Sequence, residues 1–239
     1  MEKSRQTKPQ LSLPFLTLTV LFVVCLIIAN LVEIKTVAFG AVTVTAGLAV
    51  FPLSYIINDC IVEVYGFRKA RLVIWLGFAM SLLTAVMLNI AIHLPGGPDW
   101  HAQEAMETIY GSVPRIMFAS FAAFICGSMV NAYAMSRMKR AATRASGSAT
   151  LRFSLRAIVS TLWGEGVDSL IFFPIAFSGV LPVGTIISLI LSQALLKTAY
   201  EIIVLPVTVA VIKRLKRIEG EDTVDGPATD YRWWRLTDI

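Results

Sequence analysis

Charged residues are scarce in this chain of 239 residues, where Asp, Glu, Lys and Arg together make up 15%. An average soluble domain contains about 25% charged residues. Hydrophobic residues account for 56% of the sequence, and the mean hydropathy is +0.71. This balance excludes an ordinary soluble domain and indicates a protein that lies mostly within a membrane.

Cysteine and histidine are also rare, and the motifs of several enzyme classes are missing. The three cysteines, Cys25, Cys60 and Cys126, lie in apolar runs without a CxxC pair, so we interpret them as small buried hydrophobic residues. The two histidines, His93 and His101, form no zinc-type cluster. The chain has no GxxxxGK[ST], HExxH or GxSxG motif, which excludes a P-loop ATPase of its own. We expect no enzymatic activity, no metal and no cofactor.

Six apolar runs are each long enough to cross a bilayer, which takes about 20 residues. They cover residues 12–30, 44–64, 71–93, 114–137, 155–178 and 184–212. The sequence therefore predicts an all-α membrane protein with six transmembrane helices in one domain, 12–217. A cytoplasmic segment, 1–11, precedes this domain, and a poorly ordered cytoplasmic tail, 218–239, follows it.

Basic residues alternate from one side of the predicted membrane to the other. The N-terminus, the loops at 66–71 and 138–154 with their flanks, and the C-terminus hold 18 of the 21 Lys and Arg residues. Because loops rich in Lys and Arg stay cytoplasmic, both termini are predicted to be cytoplasmic. The loop at 94–113 is then external and is predicted to hold a short interfacial helix. The net charge of +5 is explained by anionic lipid, so we expect the bilayer as a partner and no nucleic acid.

Ionisable residues lie inside three of the six runs, where a charge is costly, so each is a candidate functional residue. In span two, Asp59 and Glu63 are four residues apart and share a helical face, beside Asn58. Two interpretations are open. These carboxylates form an inner gate or substrate contact, or they end a helix and are neutralised by Arg68 and its basic neighbours.

In span five, Glu165 and Asp168 are three residues apart, on one face and near mid-membrane. Gly164 and Gly166 flank Glu165, which favours a close approach to the backbone or a local irregularity. The pair either binds substrate or is a structural partner of a lysine in span six. Nearby Trp163 is a candidate for stacking on a planar ligand, with lipid contact as the alternative.

Span six carries Gln193, Lys197 and Glu201 at successive four-residue steps. Lys197 could pair with Glu201 along one helix or reach across to span five. Counted from the outer ends of the two spans, Lys197 lies at nearly the same depth as Glu165 and Asp168. We therefore predict that Lys197 pairs across helices with one of these two carboxylates.

Span four has small or polar residues at four-residue spacing: Ala119, Ala123, Gly127 and Asn131. Such a stripe is typical of a helix-packing face. We favour packing within the molecule, and a homodimer contact is the alternative. Three spans per half also leave open an inverted repeat, which is common in secondary transporters.

Span two and its loop contain the spaced element ND…E.YG…AR, made of Asn58-Asp59, Glu63, Tyr65-Gly66 and Ala70-Arg71. This element resembles the signature of the queuosine precursor transporter family, also grouped as vitamin uptake transporters. Other matching stretches between residues 20 and 215 are Ala29-Asn30 with Lys35, Phe51-Pro52-Leu53, Glu165 with Asp168-Ser169, Phe177 with Gly179, and Lys197 with Glu201 and Pro206. The resemblance implies a six-helix bacterial inner-membrane importer of deazaguanine bases, the nitrile or aminomethyl precursors of queuosine. It also implies a fold similar to the substrate-binding subunits of energy-coupling-factor vitamin transporters.

The chemistry of the polar residues fits a small planar base. A guanine-like edge presents two adjacent N–H donors, and one carboxylate can accept both. The expected substrate-binding residues are Asn58, Asp59, Glu63, Trp163, Glu165, Asp168, Gln193, Lys197 and Glu201. One alternative is a vitamin-binding subunit that docks on a separate ATPase, although span one has only Ala29 where such subunits use spaced alanines. The other is an intramembrane enzyme with Glu165 and Asp168 as acid and base.

Overall fold

The computed structural model describes residues 12–40, 42–142, 149–220 and 232. The predicted segment 1–11 and the predicted tail beyond Gly220, apart from Arg232, lie outside the described residues. The elements in chain order are α1 (Leu13–Val32), β1 (Thr36–Phe39), β2 (Val42–Thr45), a 3₁₀ helix (Ala46–Ala49), α2 (Phe51–His93), α3 (Gln103–Tyr110), α4 (Val113–Ala142), α5 (Ala149–Phe177) and α6 (Val183–Glu219). The protein is mostly helical, as predicted, and α3 is the short helix expected in the loop at 94–113.

Within the described part of the chain, five helical stretches are long and apolar enough to cross a membrane. Predicted span three and most of predicted span two fall in α2, whose 43 residues would extend about 65 Å if straight, roughly twice the hydrocarbon thickness. The helix is interrupted at Gly66, which has φ +81° and ψ 169°. Glycine adopts this conformation readily because it has no Cβ. Gly66 therefore divides α2 into two helical segments, 51–65 and 67–93.

A β-hairpin connects α1 to α2, so the prediction that residues 44–50 begin a membrane helix is wrong. The antiparallel strands pair from Thr36 with Thr45 to Phe39 with Val42, and Gly40 takes φ +61° at the turn. The β-branched Thr and Val residues on both sides of Gly40 favour strands, which explains the hairpin. Helix α2 begins only after it, at Phe51.

Among the described residues, two large apolar clusters and a small third one around Ala85, Val113 and Met117 hold the helices together, and a polar region lies between the two large clusters. The first joins α1 to α2 and includes Phe22, Leu26 and Ile61, against which Phe124 of α4 packs. The second joins α4, α5 and α6 and includes Phe173. The polar region lies where the ends of α1 and the hairpin meet α2, α5 and α6.

Small residues allow α4 and α5 to approach closely beside this polar region. A Cβ added to Gly127 would lie 2.8 Å from the Gly164 carbonyl oxygen and 3.0 Å from Asp168 Cβ. A Cβ added to Gly164 would lie 2.9 Å from Asn131 Cβ. The prediction that the stripe on span four packs within the molecule is confirmed, and this close crossing fixes the position of Asp168.

Candidate functional site

A buried lysine on α6 joins two buried carboxylates on α5. Lys197 Nζ lies 3.1 Å from Glu165 Oε2 and donates a hydrogen bond to Asp168 Oδ2 over 3.1 Å. Glu165 is 2% exposed and Asp168 is 1% exposed. The predicted pairing of Lys197 across helices is confirmed, with both carboxylates as partners. The lysine thus offsets part of the cost of placing two acids inside the protein.

Aromatic rings line the space beside this ion cluster. Lys197 Nζ lies 4.3 Å from the centroid of the Phe51 ring, which is a cation–π distance. Tyr55, one turn further along α2, is buried, and its ring centroid is 5.2 Å from that of Phe51. Phe172 of α5 lines the same space. These rings offer flat apolar surfaces against which a planar ligand can stack.

A second polar layer lies on the hairpin side of Lys197. Thr45 Oγ1 donates to Glu33 Oε1 over 2.6 Å, and Gln193 Nε2 donates to Thr45 Oγ1. Glu33 follows the end of α1, and a Cβ at Gly47 would overlap its carboxylate, so glycine makes room for it there. Burial raises the pKa of Glu33 to about 7, opposed by the Thr45 hydrogen bond and the charge of Lys197.

A third polar layer lies on the opposite side of Lys197, toward the break at Gly66. Glu201 is buried and its Oε1 accepts a hydrogen bond from Thr161 Oγ1 over 2.7 Å. Asp59 of α2 is half-buried and interacts electrostatically with Glu201. Within the described ranges, no Lys, Arg or His side chain forms a salt bridge with either acid. This layer therefore has carboxyl groups without a paired cation.

Glu63 lies beyond the third layer, where the polar region opens. Its Oε1 is 2.6 Å from Lys216 Nζ of α6, and its side chain is 39% exposed. This contact supports the interpretation that Glu63 lies at a helix end and that a basic side chain neutralises it. The neutralising side chain is Lys216 of α6 and not Arg68 or its neighbours. Gln193, Lys197 and Glu201 are successive turns of α6, so the three layers form a polar column about 12 Å long ending near Glu63.

Several buried polar atoms in this column have no hydrogen-bond partner among the described residues. They are the Tyr55 hydroxyl, Asn58 Oδ1, Asp168 Oδ1 and Gln193 Oε1, of which the Tyr55 hydroxyl lies near enough to Asp168 to interact with it without a hydrogen bond of standard geometry. Buried polar atoms are nearly always hydrogen-bonded in native proteins. The last three are acceptors, so they are suited to the N–H groups of a bound solute.

The space between the layers is narrow. It is lined by Asn30, Glu33, Gly47, Leu48, Phe51, Asp168, Phe172, Gln193 and Lys197. The volume open to the centre of a water molecule is about 10 Å³. That is room for about one water, so a bicyclic base fits only after the surrounding helices move apart.

Trp163 is the predicted site residue that the structure places away from the cluster. Its side chain is 63% exposed, on the outer surface of α5. It lies two residues from Glu165, and a two-residue step of about 200° turns a side chain to the opposite face of a helix. Trp163 therefore contacts the surroundings of the protein, as in the lipid-facing alternative.

The structure adds residues that the sequence prediction missed: Asn30, Glu33, Thr45 and Thr161. Asn30 and Glu33 had a signal, because they are three residues apart and share a face at the end of an apolar run. Thr45 and Thr161 gave no signal in the sequence, because a threonine in an apolar run usually forms its hydrogen bond with the backbone of its own helix. Their roles depend on hydrogen bonds between elements far apart in sequence.

A charged cluster buried among long apolar helices defines a multi-pass membrane protein with an internal polar site. The family described as "Putative vitamin uptake transporter" matches residues 45–211. The chain belongs to this family, and the resemblance seen in its motifs is confirmed.

Curated relatives from three bacteria carry transporter names. A "Probable queuosine precursor transporter" of Bacillus subtilis (strain 168) is 33% identical over 192 residues, 80% of this chain and 81% of the relative. The "Queuosine precursor transporter" of Escherichia coli (strain K12) is 28% identical over 133 residues, 56% of this chain and 55% of the relative. A "Probable queuosine precursor transporter" of Haemophilus influenzae is 24% identical over 151 residues, 61% of this chain and 59% of the relative. No solved structure gives a significant match.

Proposed function

We propose that this chain is a bacterial inner-membrane transporter that imports queuosine precursors, the cyano and aminomethyl 7-deazaguanine bases. The observation that carries the proposal is the buried Lys197 cluster, with its free acceptors, in a chain 33% identical to a relative named for this activity. Its expected partners are the planar base and the lipid bilayer.

The free acceptors match the polar edge of a deazaguanine. Asp168 Oδ1 can accept one N–H of the guanine-like edge, and Gln193 Oε1 lies in the same cavity to accept another. The rings of Phe51 and Phe172 provide stacking surfaces. A site of this kind rejects analogues without the N–H groups, because its buried acceptors then stay unpaired.

The proposed topology has six membrane crossings and both termini in the cytoplasm. It requires the two segments of α2 to cross separately on either side of Gly66, and it agrees with the distribution of basic residues.

The likeness in fold to energy-coupling-factor subunits is part of the same proposal. Docking on an ATPase through the first helix is disfavoured because Ala29 is buried. Copurification of an ATPase subunit would favour that alternative instead.

Binding to the purified protein tests the proposal. We expect 7-cyano-7-deazaguanine to bind the wild type, measured by calorimetry, and Asp168→Asn to abolish binding while the protein stays folded. The reason is that asparagine keeps the shape and removes the charged acceptor. Asp59→Asn should slow transport with a smaller effect on affinity, because Asp59 lies nearer the mouth marked by Glu63.

The matched control is Glu104→Gln in α3, an exposed carboxylate far from the column. It should bind as the wild type does. A wild type that binds neither deazaguanine base contradicts the proposed function. Wild-type affinity in Asp168→Asn removes Asp168 from the site.

A further inference from the structure

A groove separates the first turns of α1 from the last turns of α6, and it shares no lining residue with the cavity at Lys197. Its lining includes Leu13, Thr17 and Leu18 of α1 and Val211, Arg214 and Ile218 of α6. The volume open to the centre of a water molecule is about 330 Å³, against about 10 Å³ in that cavity. Leu13 and Ile218 are exposed, so the groove opens to the surroundings of the protein. It therefore has room for part of an elongated ligand that approaches from outside.

Arg214 is the one charged residue among the described residues that line the groove. It forms no salt bridge with a carboxylate in the described part of the chain, whereas nearby Lys216 pairs with Glu63. The hydroxyl of Thr17 donates to the Leu13 carbonyl oxygen over 2.9 Å, so the rest of the lining presents no unpaired polar side chain. A guanidinium group is always charged and binds phosphate through two parallel N–H bonds. The groove thus combines apolar walls with one group suited to a phosphate.

Exposed apolar side chains continue the groove along α6 toward the middle of the membrane. Ile203, Val207 and Val211 are exposed and precede Arg214 at steps of four, four and three residues. These steps place the four side chains on one side of the helix. From Ile203 to Arg214 the helix rises about 16 Å, close to half of the roughly 30 Å hydrocarbon thickness. An acyl chain along this side would therefore reach from a phosphate at Arg214 to the middle of the bilayer.

The groove lies at the cytoplasmic surface in the proposed topology, because the start of α1 and the end of α6 are both on that side. Basic pockets between transmembrane helices on this side bind the headgroups of anionic lipids. We propose that the groove binds an anionic phospholipid of the inner leaflet, with its phosphate on Arg214 and an acyl chain between α1 and α6. The lipid joins the first helix to the last and stabilises the folded protein, because it binds the native state. The site lies outside the substrate column, so its test does not depend on the transported solute.

Titration with a defined lipid tests the role of Arg214. The probe is dioleoyl phosphatidylglycerol, added to the purified full chain in detergent, and its binding is measured by native mass spectrometry. Arg214→Gln should weaken this binding about fivefold, the factor that corresponds to about 1 kcal/mol for one basic side chain near anionic lipid. Lys213→Gln is the matched control, because it removes the same charge from a neighbouring side chain that does not line the groove, and it should bind as the wild type does. Equal affinities of the wild type and Arg214→Gln, or equal weakening in the two variants, overturn the proposal.

Photo-crosslinking identifies what occupies the groove in the membrane. Benzoylphenylalanine replaces Thr17 in the full chain, or Leu16 as a control that is exposed on α1 but does not line the groove. After irradiation of bacterial membranes, we expect phospholipid adducts at Thr17 that are enriched in phosphatidylglycerol or cardiolipin relative to those at Leu16. The same lipid proportions at both positions mean ordinary boundary lipid and contradict a specific site. A crosslink from Thr17 to segment 1–11 or to a second copy of the chain, in place of lipid, also overturns the proposal.

Thermal unfolding gives a readout that does not require the lipid complex to survive in a mass spectrometer. A ligand that binds only the folded state raises the Tm as its concentration increases. Dioleoyl phosphatidylglycerol should therefore raise the Tm of the wild type and of Lys213→Gln more than that of Arg214→Gln. Dioleoyl phosphatidylcholine, which has no net charge, should shift all three proteins equally. An equal shift of all three with phosphatidylglycerol overturns the assignment of the phosphate to Arg214.

Discussion

Replacing Lys197 by methionine should destabilise the protein more than the loss of one contact. The methionine side chain is similar in length to that of lysine and can fill the space that Lys197 occupies next to Phe51. It leaves Glu165 and Asp168, which are 2% and 1% exposed, facing each other without a cation. Removing one partner of a buried ion pair typically costs about 3–5 kcal/mol because the remaining charge is uncompensated.

This cost predicts a measurable fall in thermal stability. For soluble domains of about this size, 1 kcal/mol shifts the Tm by roughly 2–4 °C, so Lys197→Met should lower it by about 6–20 °C. The assay is thermal unfolding in detergent, followed by intrinsic fluorescence. The wild type and Glu104→Gln, whose carboxylate is exposed on α3, should unfold at the same temperature.

Double variants test whether uncompensated charge is the cause. Adding Glu165→Gln or Asp168→Asn to Lys197→Met removes one orphaned negative charge, so at least one double variant should recover part of the lost Tm. The interaction energy of a contacting pair in such a cycle is typically about 0.5–3 kcal/mol. If neither double variant recovers any stability, the charge-pairing argument is refuted.

Three further predictions address the hairpin layer, the helix crossing and the topology. Glu33 has its pKa raised from 4.5 to about 7, so the folded state holds this proton more tightly than the unfolded state, and stability falls as the pH rises from 4.5 to 7. Glu33→Gln should therefore raise the Tm at pH 8, by an amount equivalent to roughly 3 kcal/mol, with little change at pH 4.5, and a pH-independent effect would refute this. Gly164→Ala should cost about 1–3 kcal/mol because its Cβ meets α4, whereas Gly166→Ala, with open space around it, should be neutral or stabilising; equal melting temperatures would contradict the close packing. Cysteines introduced at Arg68 and Glu104 should react with an impermeant maleimide from opposite sides of the membrane, and labelling from the same side would refute the topology.

The sequence predicted the helices that form as continuous apolar runs, and it predicted the ion cluster. Hydropathy located α1, α4, α5 and α6 because a bilayer imposes a minimum length on each. The partners of Lys197 followed from matching depths along two helices. The first argument uses the length of an apolar run and the second uses depth along a helix, and a single sequence displays both directly.

The features that the sequence did not predict depend on contacts between distant segments or on local backbone choice. The hairpin of β1 and β2 is short and apolar, so hydropathy merged part of it with the following helix. The break at Gly66 is a single residue with positive φ inside a helical pattern. Glu33 enters the site because the hairpin places Thr45 against it and the 3₁₀ helix that follows places Gly47 there. Trp163 was assigned by residue type, although its helical phase relative to Glu165 points it away from the column.

The most direct test of the central claim is uptake of a labelled queuosine precursor by living cells. A bacterial strain that lacks its own precursor transporter is given labelled 7-cyano-7-deazaguanine at low external concentration, with this chain, with Asp168→Asn or with an empty vector. We predict rapid accumulation with the wild-type chain and background levels with Asp168→Asn expressed to the same level in the membrane. Uptake by the wild-type chain no greater than by the empty vector, with both the cyano and aminomethyl bases, would contradict the account.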